Sequence, residues 1–488
     1  MWFYHFGIAN RLQNKIDADF YAIIDAEDKA KKFFLEQKFI NFKKQWFFLD
    51  QIEPSKIYFE KDYLKNFEKK YQVNLWQIIF GDKYFYQYNQ FHKFSHDEIM
   101  SILYQECKFF ENMLEEIKPQ FLLTFNPITH YNILLHRMCL NSGITPIVLA
   151  PGRLGKRTTI SKIPFTFDES EFSFSDSQLS DDKLENFLEK YNPFNQAKEK
   201  RKANFEENKF MRYSSILKFL ISTPTQSHKK RFGNIGKTKS SVLSNKINNV
   251  RQKKIRTAFI NKNLLTNFKN EKPFVYFPLH YEPERVLLVD APFYSDQIPL
   301  IANIAKSLPV KYQLLVKEHP MMQTIGWRDT SFYEKIMDLP NVKLVHPSIH
   351  PSEIIKASSL VIAIAGTSCI EAAFYKKPSI VFTNQFYSLL SSVTTIENIQ
   401  DLPNAIKSAL NSSVDDSSLR KFIKMYEQNS VEFNFLGLAA EFANKFGFKG
   451  PVMDAVMKQE DVELFLNKHN QIFEKLSEHH LKKIQSYI

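Results

Sequence analysis

Residues 366–371 combine what a phosphate ester needs: a small-residue turn, two hydroxyls and an acid one turn later. They lie within Leu360–Phe382, LVIAIAGTSCIEAAFYKKPSIVF. The apolar run Leu360–Ala365 suits a buried parallel strand. Gly366, Thr367 and Ser368 break the run, and Cys369–Tyr375 can form a short helix. Lys377–Pro378 then turns the chain into a second strand, Ser379–Phe382. A strand, a turn and a helix start together present unpaired N–H groups and a partial positive charge, and glycine lets a ligand approach closely. Glu371 is spaced to accept hydrogen bonds from ribose hydroxyls. The plainer reading is a βα turn with hydroxyl caps, and no Gly-rich fingerprint accompanies it.

Ligands of open α/β sheets bind beyond the carboxyl ends of the strands, so residues just after a strand are the ones to inspect. Lys317–Glu318–His319–Pro320 follows the strand-like YQLLV. His319 can donate to a phosphate or a leaving oxygen, and Lys317 adds charge; alternatively the histidine caps a turn. His280, Glu282, Glu284 and Arg285 follow FVYFP and precede VLLVDAPFYSDQ, which carries Asp290, Ser295 and Asp296. A carboxylate here can deprotonate an acceptor hydroxyl, or it can be a salt-bridged loop acid. In the first half, Asn126 and Thr129 follow FLLTF. Arg153 and Arg157 follow VLAPG, where either can clamp an anion.

Other motifs lose support. Asp17-Ala18-Asp19 has the DxD spacing of metal-dependent sugar transferases, but it precedes a strand instead of ending one. His479–His480 lies on a C-terminal helix without a further ligand. GxxxxGK[ST], HExxH and GxSxG do not occur. No metal site and no cofactor are expected.

The elements that must position these residues alternate as strand and helix. In the first half the strands are Phe20–Asp25, Trp46–Asp50, Phe121–Phe125 and Thr145–Leu149, with helices Glu98–Ile117 and His130–Ser142. The alternation resumes at Lys272 with strands Phe274–Phe277, Tyr312–Lys317, Val342–Leu344 and the segment above. Such alternation gives parallel sheets with crossover helices. The division expected is an α/β domain over 1–165, a helical and basic connector over 166–271, a second α/β domain over 272–410, and helices over 411–488. The connector includes a helix at Ser180–Tyr191. The first residues, MWFYHFGIANRLQNK, read as helix where a domain of this type begins with a strand; that strand is expected to be very short or missing from this chain.

Composition bounds the rest. The 488 residues suffice for two or three domains and include 46 Phe but only 12 Gly, which disfavours many-turned β architectures. Three scattered cysteines, Cys107, Cys139 and Cys369, suit a reduced, cytoplasmic protein. No apolar run approaches the ~20 residues that span a bilayer. Net charge is +12, and residues 209–269 alone hold 15 Lys or Arg and no acid. That stretch is either a solvated connector or a surface for a polyanion, foremost the anionic inner face of the cell membrane. No nucleic-acid module is present, so nucleic acid is not an expected partner.

Phe274–Asn384 resembles the capsule polysaccharide biosynthesis glycosyltransferases, relatives of bacterial Kdo transferases and, more distantly, of polysialyltransferases. The matching words are FPLHYEPE (277–284), DAPFYSDQ (290–297), KEHP (317–320) and GTSCIEAAFYKKPSIVF (366–382), joined in the first half by TFNPITH (124–130) and APGRLGKRT (150–158). The resemblance implies a GT-B-like fold, two Rossmann-like domains facing a central cleft, with extra C-terminal helices. It implies transfer of a sugar from a nucleotide-sugar donor, often CMP-linked in these relatives, to a surface polysaccharide or glycolipid. His319 and Pro320 would hold the nucleotide, with Lys317, Gly366, Thr367, Ser368 and Glu371 completing the donor site. His319, Glu282 and Asp296 are the catalytic candidates, and Asn126 and Arg153 the acceptor-binding ones. No adjacent acid pair before a glycine occurs in the first domain, which leaves the catalytic base and the stereochemical outcome open. Two rivals share the architecture: a nucleotide-sugar 2-epimerase or polyol-phosphate transferase, and a non-catalytic membrane-associated scaffold.

Overall fold

The computed structural model of the chain describes residues 3–168, 226–268, 272–446 and 456–488. The Ser180–Tyr191 helix reading and part of the basic stretch lie outside them. The second half is built on six parallel strands: β6 (Phe274–Pro278), β7 (Gln313–Lys317), β8 (Val342–Val345), β9 (Leu360–Ala363), β10 (Ser379–Val381) and β11 (Val393–Thr395). Their order across the sheet is β8-β7-β6-β9-β10-β11. This is the doubly wound order, and its direction reverses between β6 and β9. The two central strands, β6 and β9, are apolar because both of their faces are covered. Val275 and Phe277 enter one core, whereas Phe274 and Tyr276 enter the other.

The first half is less regular. Strands β1 (Phe20–Ile24) and β2 (Phe42–Phe47) form a parallel pair of their own. A separate sheet runs β3-β4-β5-β12, with β3 (Phe121–Phe125) parallel to β4 (Thr145–Pro151). Strands β5 (Arg157–Ser161) and β12 (Ser430–Glu432) continue it in antiparallel fashion. The chain enters this half through helix α1 (Phe3–Leu12). Strand β2 begins earlier than the apolar run Trp46–Asp50 suggests: Lys43 and Lys44 lie within it, exposed on an edge, and Phe48–Gln51 coils into a helical turn.

The last helices return to the first half. Helix α7 (Asp416–Gln428) seats Tyr426, whose hydroxyl donates to the carbonyls of Gly152 and Leu154, both at 2.8 Å. Strand β12 then joins the first sheet, and helix α8 (Asn470–Tyr487) lies along α1. Gly7 makes that contact possible, since a Cβ there would stand 2.2 Å from the Phe473 ring. Among the described residues no helix is long and apolar enough to cross a membrane.

The two halves meet at the carboxyl ends of their strands. Arg153, after β4, donates to the Ala365 carbonyl beyond β9 at 3.0 Å. Arg285, after β6, donates to the Pro127 carbonyl beyond β3 at 2.7 Å. Two α/β domains facing each other across their strand ends make a GT-B-like, α/β architecture with added C-terminal helices.

Candidate active site

The reversal between β6 and β9 opens a crevice, and His280 spans it. Its backbone N–H donates to Gln297 Oε1 at 2.9 Å, and its Nε2 accepts the Ala365 N–H at 3.2 Å. Nδ1 therefore carries the ring proton and faces Glu284 Oε2, 3.3 Å away. Burial alone would raise the Glu284 pKa, but the His280 bond and the nearby His280, His319 and Arg153 side chains bring it below the usual carboxylate range.

His319 follows β7. Its Nδ1 accepts the Met321 N–H at 3.1 Å, which puts the ring proton on Nε2. Burial lowers its pKa to about 4, against the pull of Glu284, so the ring is neutral at pH 7. It can thus offer an N–H donor without carrying charge. The loops after β6 and β7 are held from beneath by one buried ion pair. Arg328 donates to both Glu318 oxygens at 2.9 and 2.8 Å and to the His280 carbonyl at 2.5 Å. Tyr333 adds its hydroxyl to Glu318 at 2.7 Å.

Beyond β9 the turn Gly366–Ser368 is half-buried and leads into the seven-residue helix α6 (Ser368–Phe374). A Cβ on Gly366 would stand 3.2 Å from the Ala363 side chain and 3.8 Å from His280 Nε2. Glu371, in the first turn of α6, is buried, and its Oε1 has no hydrogen-bond partner among the described residues. Burial pushes its pKa up to about 7.

The sequence-derived residues divide accordingly. His319 and Arg153 lie near Glu284, Arg153 bonds the Ala365 carbonyl just before Gly366, Thr367 and Ser368, Glu371 follows one turn into α6, and Pro320 directly follows His319. Lys317 is turned inward: it is buried, its Nζ lies 3.5 Å from the Glu318 carbonyl, and burial lowers its pKa to about 8. Glu282 accepts from Gln297 Nε2 at 2.6 Å and pairs with Arg328 at 3.3 Å, so it is already engaged as a loop anchor. Asp296 is exposed and caps helix α5 (Gln297–Ser307) by accepting the Ile298 N–H. Asn126 lies on the first-domain side, its Oδ1 buried without a partner among the described residues. Arg157 braces β12, donating to Ser430 Oγ at 2.7 Å and to the Glu427 carbonyl at 2.8 Å. Two residues emerge as more central than the sequence reading made them. Glu284 and His280 carried the available signal, a polar pair four residues apart just beyond a strand.

The family model for capsule polysaccharide biosynthesis proteins matches residues 175–423, more than half of the chain. The chain belongs to the capsule polysaccharide biosynthesis family. None of the curated proteins matches it. Among solved structures, this family member is similar to Thermosulfurimonas dismutans KpsC, beta Kdo 2,7 transferase, at 11% identity over 84% of this chain and 99% of that one, with a TM-score of 0.32. It is also similar to the beta Kdo 2,4 transferase of the same organism's KpsC, at 14% identity over 33% of this chain and 54% of that one, with a TM-score of 0.23. The UDP-GlcNAc 2-epimerase of Methanocaldococcus jannaschii matches at 13% identity over 84% and 100%, with a TM-score of 0.24. Superposition is loose in every case, and the family assignment rests on the sequence match.

Proposed function

We propose that this capsule-family protein is a glycosyltransferase that takes a nucleotide-sugar donor at the β6–β9 crevice and passes its sugar to a glycan or glycolipid held by the first domain. The observation that carries the reading is the convergence of His280, Glu284, His319 and Arg153 on the turn before α6, with the unpartnered Glu371 oxygen beside it. The donor phosphate would lie on the Gly366–Ser368 turn, where N–H groups and the Arg153 guanidinium meet its charge. Glu371 would accept from the ribose, and His319 would donate its Nε2 proton toward the leaving oxygen as charge grows there. We assign Glu284, which stands against His280, to the incoming hydroxyl, because Glu282 is held by Gln297 and Arg328 and Asp296 caps a helix. Charge on the leaving group is met in this reading by protein donors and needs no metal ion. The donor is of the CMP- or UDP-sugar class.

The basic stretch supports a peripheral contact with an anionic membrane surface. Helix α4 (Lys239–Asn263) carries seven Lys or Arg and no acid. Leu243, Ile247 and Val250 lie exposed along one stripe of it, beside the exposed Lys246, Arg251 and Lys254.

Calorimetry with CMP, UDP and GDP tests the donor site directly. Binding of one nucleotide should weaken roughly tenfold or more in His319→Ala and in Ser368→Ala, as loss of a charge-assisted hydrogen bond predicts. Unchanged binding in both variants removes the site from this crevice. Labelled donor incubated without acceptor separates the enzyme classes, since epimerisation under those conditions contradicts transfer.

A further inference from the structure

The loop after β10 carries a buried hydroxyl at the seam between the two domains. It coils into a short 3-10 turn, Phe386–Leu389, and is tied on two sides. The Phe386 N–H donates to the Phe165 carbonyl of the first domain at 2.8 Å. Thr383 Oγ1 donates to the Asp290 carbonyl, in the segment after β6, at 3.3 Å. The Phe165 ring lies 3.8 Å from the Arg153 guanidinium, which bonds the Ala365 carbonyl just before the Gly366–Ser368 turn. The loop is thus linked through Phe165 and Arg153 to the turn before α6.

Tyr387 stands in this loop. Its ring is fully buried in a core with Phe165, Ala363 and Cys369, the last being the second residue of α6. Its hydroxyl has no hydrogen-bond partner among the described residues. Such a group carries the full cost of its lost hydration, and phenylalanine would fill the same space without it. The polar groups whose charge reaches the hydroxyl are Cys369, Arg153, Glu284 and Asp290. Each is turned elsewhere. Cys369 Sγ faces the Ile380 carbonyl at 3.9 Å, and Arg153 bonds Ala365. Glu284 faces His280, and Asp290 gives both oxygens to Arg285 at 2.8 and 2.7 Å. Burial, ahead of any charge, holds the phenol above its usual pKa range, so it keeps a proton to donate. A buried donor beside an arginine and a helix start suits an anionic oxygen.

We propose that Tyr387 is a phosphate-binding residue of the donor site, its hydroxyl donating to an anionic oxygen of the phosphate on the Gly366–Ser368 turn. The proposal rests on the donor-site reading and adds to it a donor from a further loop, the one after β10.

Tyr387→Phe tests it, because the substitution keeps the ring and removes only the hydroxyl. Wild type, Tyr387→Phe and Ser368→Ala are titrated by calorimetry with CMP, UDP and GDP, and with the matching nucleosides by competition against the nucleotide that binds. That nucleotide should bind Tyr387→Phe roughly tenfold more weakly, and its nucleoside should bind both proteins alike, since the contact is to phosphate. Without ligand, Tyr387→Phe should melt no lower than wild type, because no protein hydrogen bond is lost. Equal nucleotide affinity overturns the proposal. An equal loss for nucleoside and nucleotide overturns it too, since the ring's packing is then the cause, and a lower melting temperature assigns the hydroxyl a structural partner. The two readings fail separately. Binding that weakens in Ser368→Ala but not in Tyr387→Phe strikes Tyr387 alone. A wild-type protein that binds none of the nucleotides, or binding that Ser368→Ala leaves intact, strikes the donor site and this proposal with it.

Discussion

Glu371 is costly to the fold, and that cost is informative. A carboxyl buried with an unpartnered oxygen prefers its proton, which is why its pKa rises to about 7 from an ordinary 4.5. The folded-state value lies above the unfolded one, so the stabilising contribution is complete below about pH 4.5 and is lost as pH rises through about 7. Glu371→Gln should therefore be more stable than wild type at pH 8, by on the order of 3 kcal/mol, and no more stable than wild type at pH 4. Thermal melts across that range check it; a difference that does not grow with pH contradicts the burial argument. The same substitution should weaken nucleotide binding if ribose hydroxyls supply the missing donors. Wild-type affinity should then rise between about pH 6 and 8 as the carboxylate forms, and the Gln variant should show a flat profile by calorimetry. A stability gain coupled to a binding loss separates a functional acid from a merely misplaced one.

At the scale of elements, the loops after β6 and β7 depend on the Glu318–Arg328 pair beneath them. Both groups are buried and multiply bonded, so removing one strands the other. Arg328→Leu should cost about 3–5 kcal/mol and speed exchange of the His280 and His319 amides, readable by urea denaturation and hydrogen exchange. Glu318 and Arg328 are ten residues apart, and nothing in their spacing announced the pair. What was legible followed from local pattern. The continuous apolar runs of β6, β7 and β9 marked strands buried on both faces, and the filter of inspecting residues just beyond them reached His280, His319 and Gly366. What was hidden depended on distant partners. Strand β12 pairs with β5 across more than 260 residues, and RTTIS is too polar to announce a strand by itself. Lys317 looked available because it ends a strand, but the pleat turns it into the protein. Glu282 looked like a base until Gln297 and Arg328 were seen to occupy it.

At the scale of the molecule, the two domains are tied where their strand ends meet by Arg153, by Arg285 and by a core that Ala150, Leu154 and Phe165 share with the second domain, and Arg153 has two duties there. Its guanidinium stacks 3.8 Å from the Phe165 ring and donates to the Ala365 carbonyl, while its charge reaches the Glu284 carboxylate. Arg153→Ala should raise the donor KM roughly tenfold or more, since charge-assisted contacts are worth about 1.5–3 kcal/mol. Arg153→Lys should recover the charge but not the fork. The distribution of charge sets the second expectation. Basic residues concentrate in 209–269, which leaves the remainder of the chain slightly acidic. On the proposed membrane contact, attraction to anionic lipid should fall as salt rises, because exposed charges are screened beyond about 8 Å at 0.15 M. Each basic residue near such a surface contributes about 1 kcal/mol, so Lys246→Gln, Arg251→Gln and Lys254→Gln together should cut partitioning onto anionic vesicles roughly a hundredfold. Ile247→Ser with Val250→Ser should lower the part that survives at high salt, where only apolar contact remains. Sedimentation with anionic and neutral vesicles at low and high salt reads both terms, and binding that ignores lipid charge, salt and all five substitutions assigns α4 to the role of a connector.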